Sequence, residues 1–196
     1  QGLTPDGRRV LFVSTSNSFT GAQAQLYSVP VEGGVEDVMP IPSVSQATLS
    51  PDGKRVAYNA FAQAFLEWKR YRGGRNSIIS LYTVASQTVE HIPQPASRSN
   101  DVDAMWQGDV IYFRSDRDGE FNIYGYDLKS KAIMQVTKHA DFPVLAASAG
   151  GGRIIYEQAG YLHLLDPATG QSRRLTIGVT ADLRETRTRW VRGNEY

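Results

Sequence analysis

The sequence predicts an all-β protein: a β-propeller segment of about four four-stranded blades that form a partial or open ring. The first observation is a repeated phrase, a polar turn followed by a strand, which is clearest at residues 4–13 and 50–59. Weaker copies follow at residues 107–113 and 150–157. In the clear copies Pro presets the second turn position, Asp suits the third, and Gly takes the left-handed position after them.

The second observation is the spacing of the repeat. The equivalent aromatic residues Phe12, Tyr58, Tyr112 and Tyr156 are 46, 54 and 44 residues apart. That spacing is typical of four-stranded propeller blades. A β-sandwich offers no reason for such a repeat, and a β-helix has a much shorter period. A propeller therefore explains the pattern best.

Each unit is expected to supply four strands to a single propeller segment over residues 1–196. Residues 177–196 are interpreted as a linker or the start of a further blade, in which Trp190 would stand where Trp106 stands. Four blades rarely close a ring, so further blades or another copy are expected to cover the two end faces. The predicted blades cover residues 3–39, 47–92, 103–137 and 144–176.

The composition is that of an ordinary folded domain. Of the 196 residues, 41% are hydrophobic and 21% charged, and the net charge of +1 gives no reason to expect nucleic acid or an anionic membrane as a partner. The absence of cysteine excludes disulfides and thiolate chemistry. No apolar run approaches the roughly 20 residues of a membrane span, so no membrane insertion is predicted. Because the chain begins inside a repeat and without Met, we interpret it as a piece of a longer protein.

No catalytic motif is recognisable in the sequence. The Gly-x-Ser-x-Gly nucleophile elbow and the zinc-binding His-Glu-x-x-His motif are both missing. His91, His139 and His163 are scattered and are interpreted as structural or solvent-facing. We therefore predict no catalytic residue, no metal and no cofactor in this chain.

Two further patterns have structural explanations. Asp116, Asp118 and Gly119 weakly resemble a calcium loop, but further ligands are missing at the required spacing, so a hairpin turn is favoured. A group of aromatic residues is expected to form core between neighbouring blades rather than a surface that stacks bases. This group comprises Trp106, Tyr112, Phe113, Tyr124 and Tyr126.

A long insertion at residues 60–76, here called the basic insertion, interrupts the second blade and is the best candidate site. Its second half concentrates cations and aromatic side chains. Arginine forks bind carboxylates, and clustered cations can create an anionic-ligand site at near-zero net charge. The alternative is that these cations pair with nearby acids or cover an interdomain contact. The candidate substrate-binding residues are Trp68, Lys69, Arg70, Tyr71, Arg72 and Arg75. A second basic run near the end, residues 184–192, is interpreted as a linker.

Several stretches carry a family resemblance. The phrase Ser-Pro-Asp-Gly-Lys-Arg-Val-Ala-Tyr at residues 50–58 resembles propeller repeats of TolB, of tricorn protease and of prolyl oligopeptidase relatives. A sharper resemblance runs in order through residues 67–75, 104–119, 152–157, 164–166 and 181–187. In that order these stretches are similar to the first, six-bladed propeller of tricorn-type serine peptidases.

That resemblance implies a parent with a second propeller, a PDZ-like module and a distant part that cleaves peptides with a serine nucleophile. This chain would then be a non-catalytic portion that guides or gates peptides and scaffolds assembly. Its partners would be peptides, downstream domains of the parent chain or further copies, and its location cytoplasmic. In such peptidases a basic pair on propeller loops holds the carboxylate end of a peptide, a role that would fall here to Lys69, Arg70 and Arg72. The alternative is a TolB-like interaction propeller of the cell envelope, periplasmic and without peptidase activity.

Overall fold

The chain folds into four antiparallel meanders of four strands each. The structure is a computed structural model that describes residues 2–19, 23–62, 70–178 and 186–193. No α-helix occurs within these ranges, so no described helix could span a membrane. The strands are β1 Gly2–Leu3, β2 Arg9–Ser14, β3 Gln25–Pro30, β4 Asp37–Val38, β5 Gln46–Leu49, β6 Arg55–Asn59, β7 Ile79–Thr83, β8 Thr88–His91, β9 Asp101–Gln107, β10 Val110–Ser115, β11 Asn122–Asp127, β12 Ile133–Gln135, β13 Val144–Gly150, β14 Arg153–Gln158, β15 Tyr161–Asp166 and β16 Gln171–Arg174.

Each meander is one propeller blade, and blades 1 to 4 comprise β1–β4, β5–β8, β9–β12 and β13–β16. Within every blade the strands pair only with their neighbours in sequence. The predicted fold class is therefore confirmed. The inner strand of blade 3 begins at Asp101, two residues before the predicted start of that blade, and the outer strand of blade 1 comprises only Asp37–Val38.

The repeated turn has the expected local cause. In blade 2, Ser50 Oγ donates to Asp52 Oδ1 at 2.6 Å, and the Lys54 amide donates to the same oxygen at 3.1 Å. These bonds lower the pKa of Asp52, with the Ser50 hydroxyl as the largest cause. Gly53 has a φ of 69°, a left-handed conformation that glycine adopts without strain. Equivalent hydrogen bonds hold the turn of blade 1. The repeated sequence therefore forms a hairpin turn that is stabilised by its own side chains.

Three hydrophobic clusters fill the spaces between adjacent blades. Leu11 and Leu26 of blade 1 pack against Val56, Tyr58 and Tyr82 of blade 2. A second cluster joins blades 2 and 3, and a third joins blades 3 and 4. The predicted interblade aromatics are confirmed, because all are buried: Trp106, Tyr112, Phe113, Tyr124 and Tyr126.

The outer face of blade 4 is a bare apolar surface. Ile155 and Leu162 on this face are 37% and 38% exposed, although the equivalent faces of the other blades are covered by their neighbours. Residues 175–178 and 186–193 contain no strand, and Trp190 is fully exposed. That Trp190 would stand in a further blade where Trp106 stands in blade 3 stays a prediction.

The meander topology sorts the connections to two ends of the propeller. The repeated turns, which join the first and second strands of a blade, lie at one end, together with the hairpins that join the third and fourth strands. The connections between second and third strands, and those between consecutive blades, lie at the other, here called the insertion end. It carries the basic insertion together with residues 92–100, 116–121 and 136–143. The topology therefore brings segments that are distant in sequence close to the basic insertion.

Candidate functional site

In the described part of the basic insertion, some cationic side chains are exposed to solvent and one forms an ion pair. Arg70 and Arg75 are exposed, and neither has an ion-pair partner among the described residues. Tyr71 and Arg72 are half-buried. Trp68 and Lys69, the other two predicted site residues, lie outside the described ranges.

Arg72 is held by an acid of the next blade. Its Nη1 lies 2.7 Å from Asp116 Oδ2, and its Nη2 donates to the Asp116 carbonyl at 3.3 Å. Nη1 also donates to the Tyr71 carbonyl at 3.0 Å. For Arg72 the structure thus shows the pairing with a nearby acid that the sequence left open as an alternative.

The segment around Tyr71 turns back on itself. The Arg75 amide donates to Tyr71 Oη at 3.4 Å, and the Asn76 amide donates to the Gly73 carbonyl at 3.1 Å. A Cβ atom added at Gly73 would lie 2.2 Å from Tyr71 Oη, so a larger residue would displace the ring. In the chain, the exposed Arg70 precedes and the exposed Arg75 follows the half-buried Tyr71 and Arg72.

Asp116 is almost fully buried, with 2% of its side chain exposed, and both of its carboxylate oxygens are used. Oδ1 accepts the Asn100 amide at 2.7 Å, and Oδ2 accepts Asn100 Nδ2 at 3.1 Å beside Arg72. The turn itself closes through the Gly119 amide, which donates to the Asp116 carbonyl at 3.2 Å. Asp118 accepts the Tyr124 hydroxyl at 2.9 Å, so the predicted hairpin turn is confirmed.

A second buried ion pair supports the same hairpin. Arg117 Nη2 lies 3.0 Å from Oδ2 of the fully buried Asp101. Ser115 Oγ and Ser99 Oγ donate to Asp101 Oδ1 at 2.6 Å and 2.8 Å. Burial raises the pKa of Asp101, an effect that Arg117 and the two hydroxyls oppose. The Arg117 guanidinium also lies 5.2 Å from the ring centre of Phe113, which fixes the hairpin to the core.

Both ends of the basic insertion are attached to blade 3. At its start, Asn59 Nδ2 donates to the carbonyls of Ile78 and Asp101, each at 2.8 Å. At its end, the Asp101 amide donates to the Ser77 carbonyl at 2.8 Å. Because both ends are anchored, the residues between them have less conformational freedom than in a loop with free ends.

Arg98 is a third exposed cation that sequence reasoning missed. It lies on the connection between blades 2 and 3, adopts a φ of 59°, and directs Nη1 to within 3.5 Å of the Arg72 carbonyl. No carboxylate pairs with it among the described residues. With Arg70 and Arg75 it gives the insertion end three exposed guanidinium groups, a suitable surface for a carboxylate.

The inner strands line an open polar cleft near the propeller axis. Gln46 and Asp103 bind each other twice, through Gln46 Nε2 to Asp103 Oδ1 at 2.7 Å and the Asp103 amide to Gln46 Oε1 at 3.1 Å. Asp103 also forms an ion pair with Arg114, which donates to the Val144 carbonyl at 2.9 Å. These contacts tie blades 2, 3 and 4 together, and no nucleophile is activated by them.

The histidines are structural or solvent-facing in the described residues. His91 is exposed and lies 3.1 Å from Ser80 Oγ through Nδ1. His139 Nε2 lies 3.1 Å from the Tyr156 hydroxyl, and the ring of His163 stacks on Tyr156 at 4.9 Å. No group of three or more acidic or histidine side chains in the described ranges could hold a metal ion.

The four packed meanders define this chain as a β-propeller domain with a braced basic insertion. Residues 1–171 match the tricorn protease N-terminal beta propeller domain, and the chain belongs to that family.

The similar proteins include much longer peptidases. The chain is 28% identical over 175 residues to the tricorn protease homolog of Saccharolobus solfataricus, covering 88% of this chain and 16% of the relative. It is 28% identical over 180 residues to the tricorn protease of Thermoplasma acidophilum, covering 90% and 16%. The chain therefore spans about one sixth of the length of these relatives.

Solved structures agree on the fold. TolB from Acinetobacter baumannii superimposes with a TM-score of 0.67 at 21% identity, covering 89% of this chain and 42% of that structure. The tricorn protease structure gives a TM-score of 0.53 at 20% identity, covering 92% and 22%. At such identities the likeness is one of fold.

Proposed function

We propose that this chain is the non-catalytic propeller portion of a tricorn-like serine peptidase, and that its basic insertion guides peptides by binding their carboxylate ends. The observation that carries the proposal is the pair of exposed arginines, Arg70 and Arg75, on a segment braced against blade 3. Membership of the tricorn propeller family supports it over a TolB-like role in the cell envelope.

The division of roles among the cations follows from their partners. Arg72 already pairs with Asp116, so its guanidinium supports the segment rather than binding a ligand. Arg70 and Arg75 keep their donor forks in solvent, where they can receive a carboxylate in bidentate fashion. Arg98, on the adjacent connection, adds positive charge at the same end. Peptides with a free carboxylate would therefore be favoured over peptides without one.

A scaffolding role has separate support. The outer face of blade 4 exposes Ile155 and Leu162 in the positions that are covered by a neighbour in the other blades. Exposed contiguous apolar surface of this kind commonly marks an interface. Downstream domains of the parent chain, or a further copy, are the partners that this role requires.

The peptide-guiding role is tested with two acetylated alanine-rich peptides that differ only at the C-terminus, one a carboxylate and the other an amide. Isothermal titration calorimetry of the full chain should show tighter binding of the carboxylate. Changing Arg70 and Arg75 together to Gln should weaken that binding about fivefold or more, since each exposed ion pair contributes up to about 1 kcal/mol. The amide should be little affected.

A matched control removes the same charge at the opposite end. Arg8 and Lys54 are also exposed, and changing both to Gln lowers the net charge equally. This control should leave carboxylate binding unchanged. Equal binding of the two peptides to the unmodified chain, or equal weakening by the control, would refute the proposed role.

A further inference from the structure

Three segments from two blades meet on the single carboxylate of Asp116. The basic insertion of blade 2 contributes Arg72. The connection between the blades contributes Asn100, through its amide and its side chain. The hairpin of blade 3 contributes Asp116 itself.

The contacts fix two consecutive residues of the basic insertion. Asn100 Nδ2 donates both to Asp116 Oδ2 and to the Tyr71 carbonyl, the latter at 3.0 Å. Arg72 is bound to the same carboxylate through its guanidinium. The backbone at Tyr71 and the side chain at Arg72 are therefore held together, and Arg70 precedes them directly in a left-handed conformation with a φ of 60°.

We propose that Asp116 is the positioning residue of the peptide site: it clamps Tyr71 and Arg72 against blade 3 and so directs Arg70 and Arg75 outward. This inference rests on the proposed binding of peptide carboxylates by Arg70 and Arg75. Asp116 does not touch the ligand. It sets the orientation of the groups that do, and preorganised groups lose less entropy on binding.

The hairpin that carries Asp116 does not depend on the clamp. Arg117, the next residue, is anchored separately by Asp101 and Ser115. Asp118 is exposed and bonds to Tyr124 of the same blade. Loss of the Asp116 charge should thus release the basic insertion while blade 3 stays folded. Asp118 also offers a matched control on the same turn.

The test compares Asp116→Asn with Asp118→Asn in the full chain. Asparagine keeps an oxygen for the Asn100 amide but removes the charge that holds Arg72. Hydrogen exchange followed by mass spectrometry should show about tenfold faster exchange in peptides covering residues 70–78 of Asp116→Asn. Peptides covering β10 and β11 should be unchanged, and Asp118→Asn should match the unmodified chain throughout.

The second readout is the preference for a peptide carboxylate over the amide, which a merely structural residue would not alter. It should fall at least threefold in Asp116→Asn and stay constant in Asp118→Asn. Arg72→Gln alters the more exposed partner of the same ion pair and should reproduce both the faster hydrogen exchange and the lower carboxylate preference. It replaces Asp116→Asn in the test if that variant folds poorly.

The outcomes separate the two ideas. An unmodified chain without carboxylate preference would contradict the proposed function and this inference with it. A preference that is present in the unmodified chain and persists in Asp116→Asn and Arg72→Gln would overturn this inference alone. Unchanged exchange at residues 70–78 in both variants would also overturn it.

Discussion

Replacement of Phe113 by alanine should strongly destabilise the fold, because this side chain lies in the interface between blades 2 and 3. Phe113 is fully buried and packs in the cluster that contains Ile79 and Leu81 of blade 2. Its ring lies 6.1 Å from that of Tyr124, and the Arg117 guanidinium lies 5.2 Å from its centre.

The expected loss of unfolding free energy follows from the buried ring that alanine does not supply. Truncation of a buried phenylalanine costs about 3–5 kcal/mol, the sum of lost transfer free energy and the cavity left behind. The cavity would open between two blades, each a sheet whose backbone hydrogen bonds prevent it from closing the gap. For a chain of this size each kcal/mol lowers Tm by about 2–4 °C, so the expected shift is on the order of 10 °C.

Urea denaturation followed by circular dichroism gives the free energy of unfolding. Phe142→Ala is the matched control, because Phe142 is 57% exposed at the insertion end and its removal should change the unfolding free energy by less than about 0.5 kcal/mol. A loss below about 1 kcal/mol for Phe113→Ala, or equal losses for both variants, would show that the blades do not pack face to face as described.

Two further changes probe other contacts. Burial, and next the neighbouring His163, lower the pKa of His139 against a smaller opposing effect of Asp141. Below about pH 6.5 the His139 side chain therefore binds a proton more readily in the unfolded chain than in the folded one, so the free energy of unfolding should fall as the pH drops below that value. His139→Gln should reduce that fall in urea midpoints measured between about pH 5 and 8; an unchanged pH profile would contradict it. Asp103→Ala should cost about 3 kcal/mol by leaving Arg114 buried without its carboxylate, and Asp103→Asn should cost less in the same assay. Equal losses of unfolding free energy in Asp103→Ala and Asp103→Asn would contradict this explanation.

The fold was predictable because its signals are local and repeated. The turn at Ser50 closes through Asp52 and Gly53 within a few residues, so its sequence is sufficient to indicate it. The recurrence of aromatic residues at blade spacing then indicated the architecture. The predicted equivalence of Tyr112 was wrong by one residue, because Phe113 rather than Tyr112 faces the preceding blade as Tyr58 and Tyr156 do. Strand ends were less predictable, since pairing with a neighbour decides how far each strand extends.

The site was predictable only in part, because its contacts join residues that are far apart in sequence. The concentration of cations at residues 69–75 is visible in the chain itself. The pairing of Arg72 with Asp116 spans 44 residues, and it depends on which connections share one end of the propeller. Nothing in the local sequence of Asn100 or Arg98 indicates that they lie beside the basic insertion. The sequence therefore identified the charged segment, whereas the structure separates its supporting arginine from its exposed ones.

The most direct test of the carboxylate-binding role is an NMR titration that observes arginine side-chain Nε–H signals. Addition of the carboxylate peptide to the full chain should shift the signals of Arg70 and Arg75, while those of Arg114 and Arg117, which are paired with carboxylates of blade 3, should stay in place. The amidated peptide should shift neither group. If both peptides shift Arg70 and Arg75 equally, or if neither does, the basic insertion does not recognise peptide carboxylates.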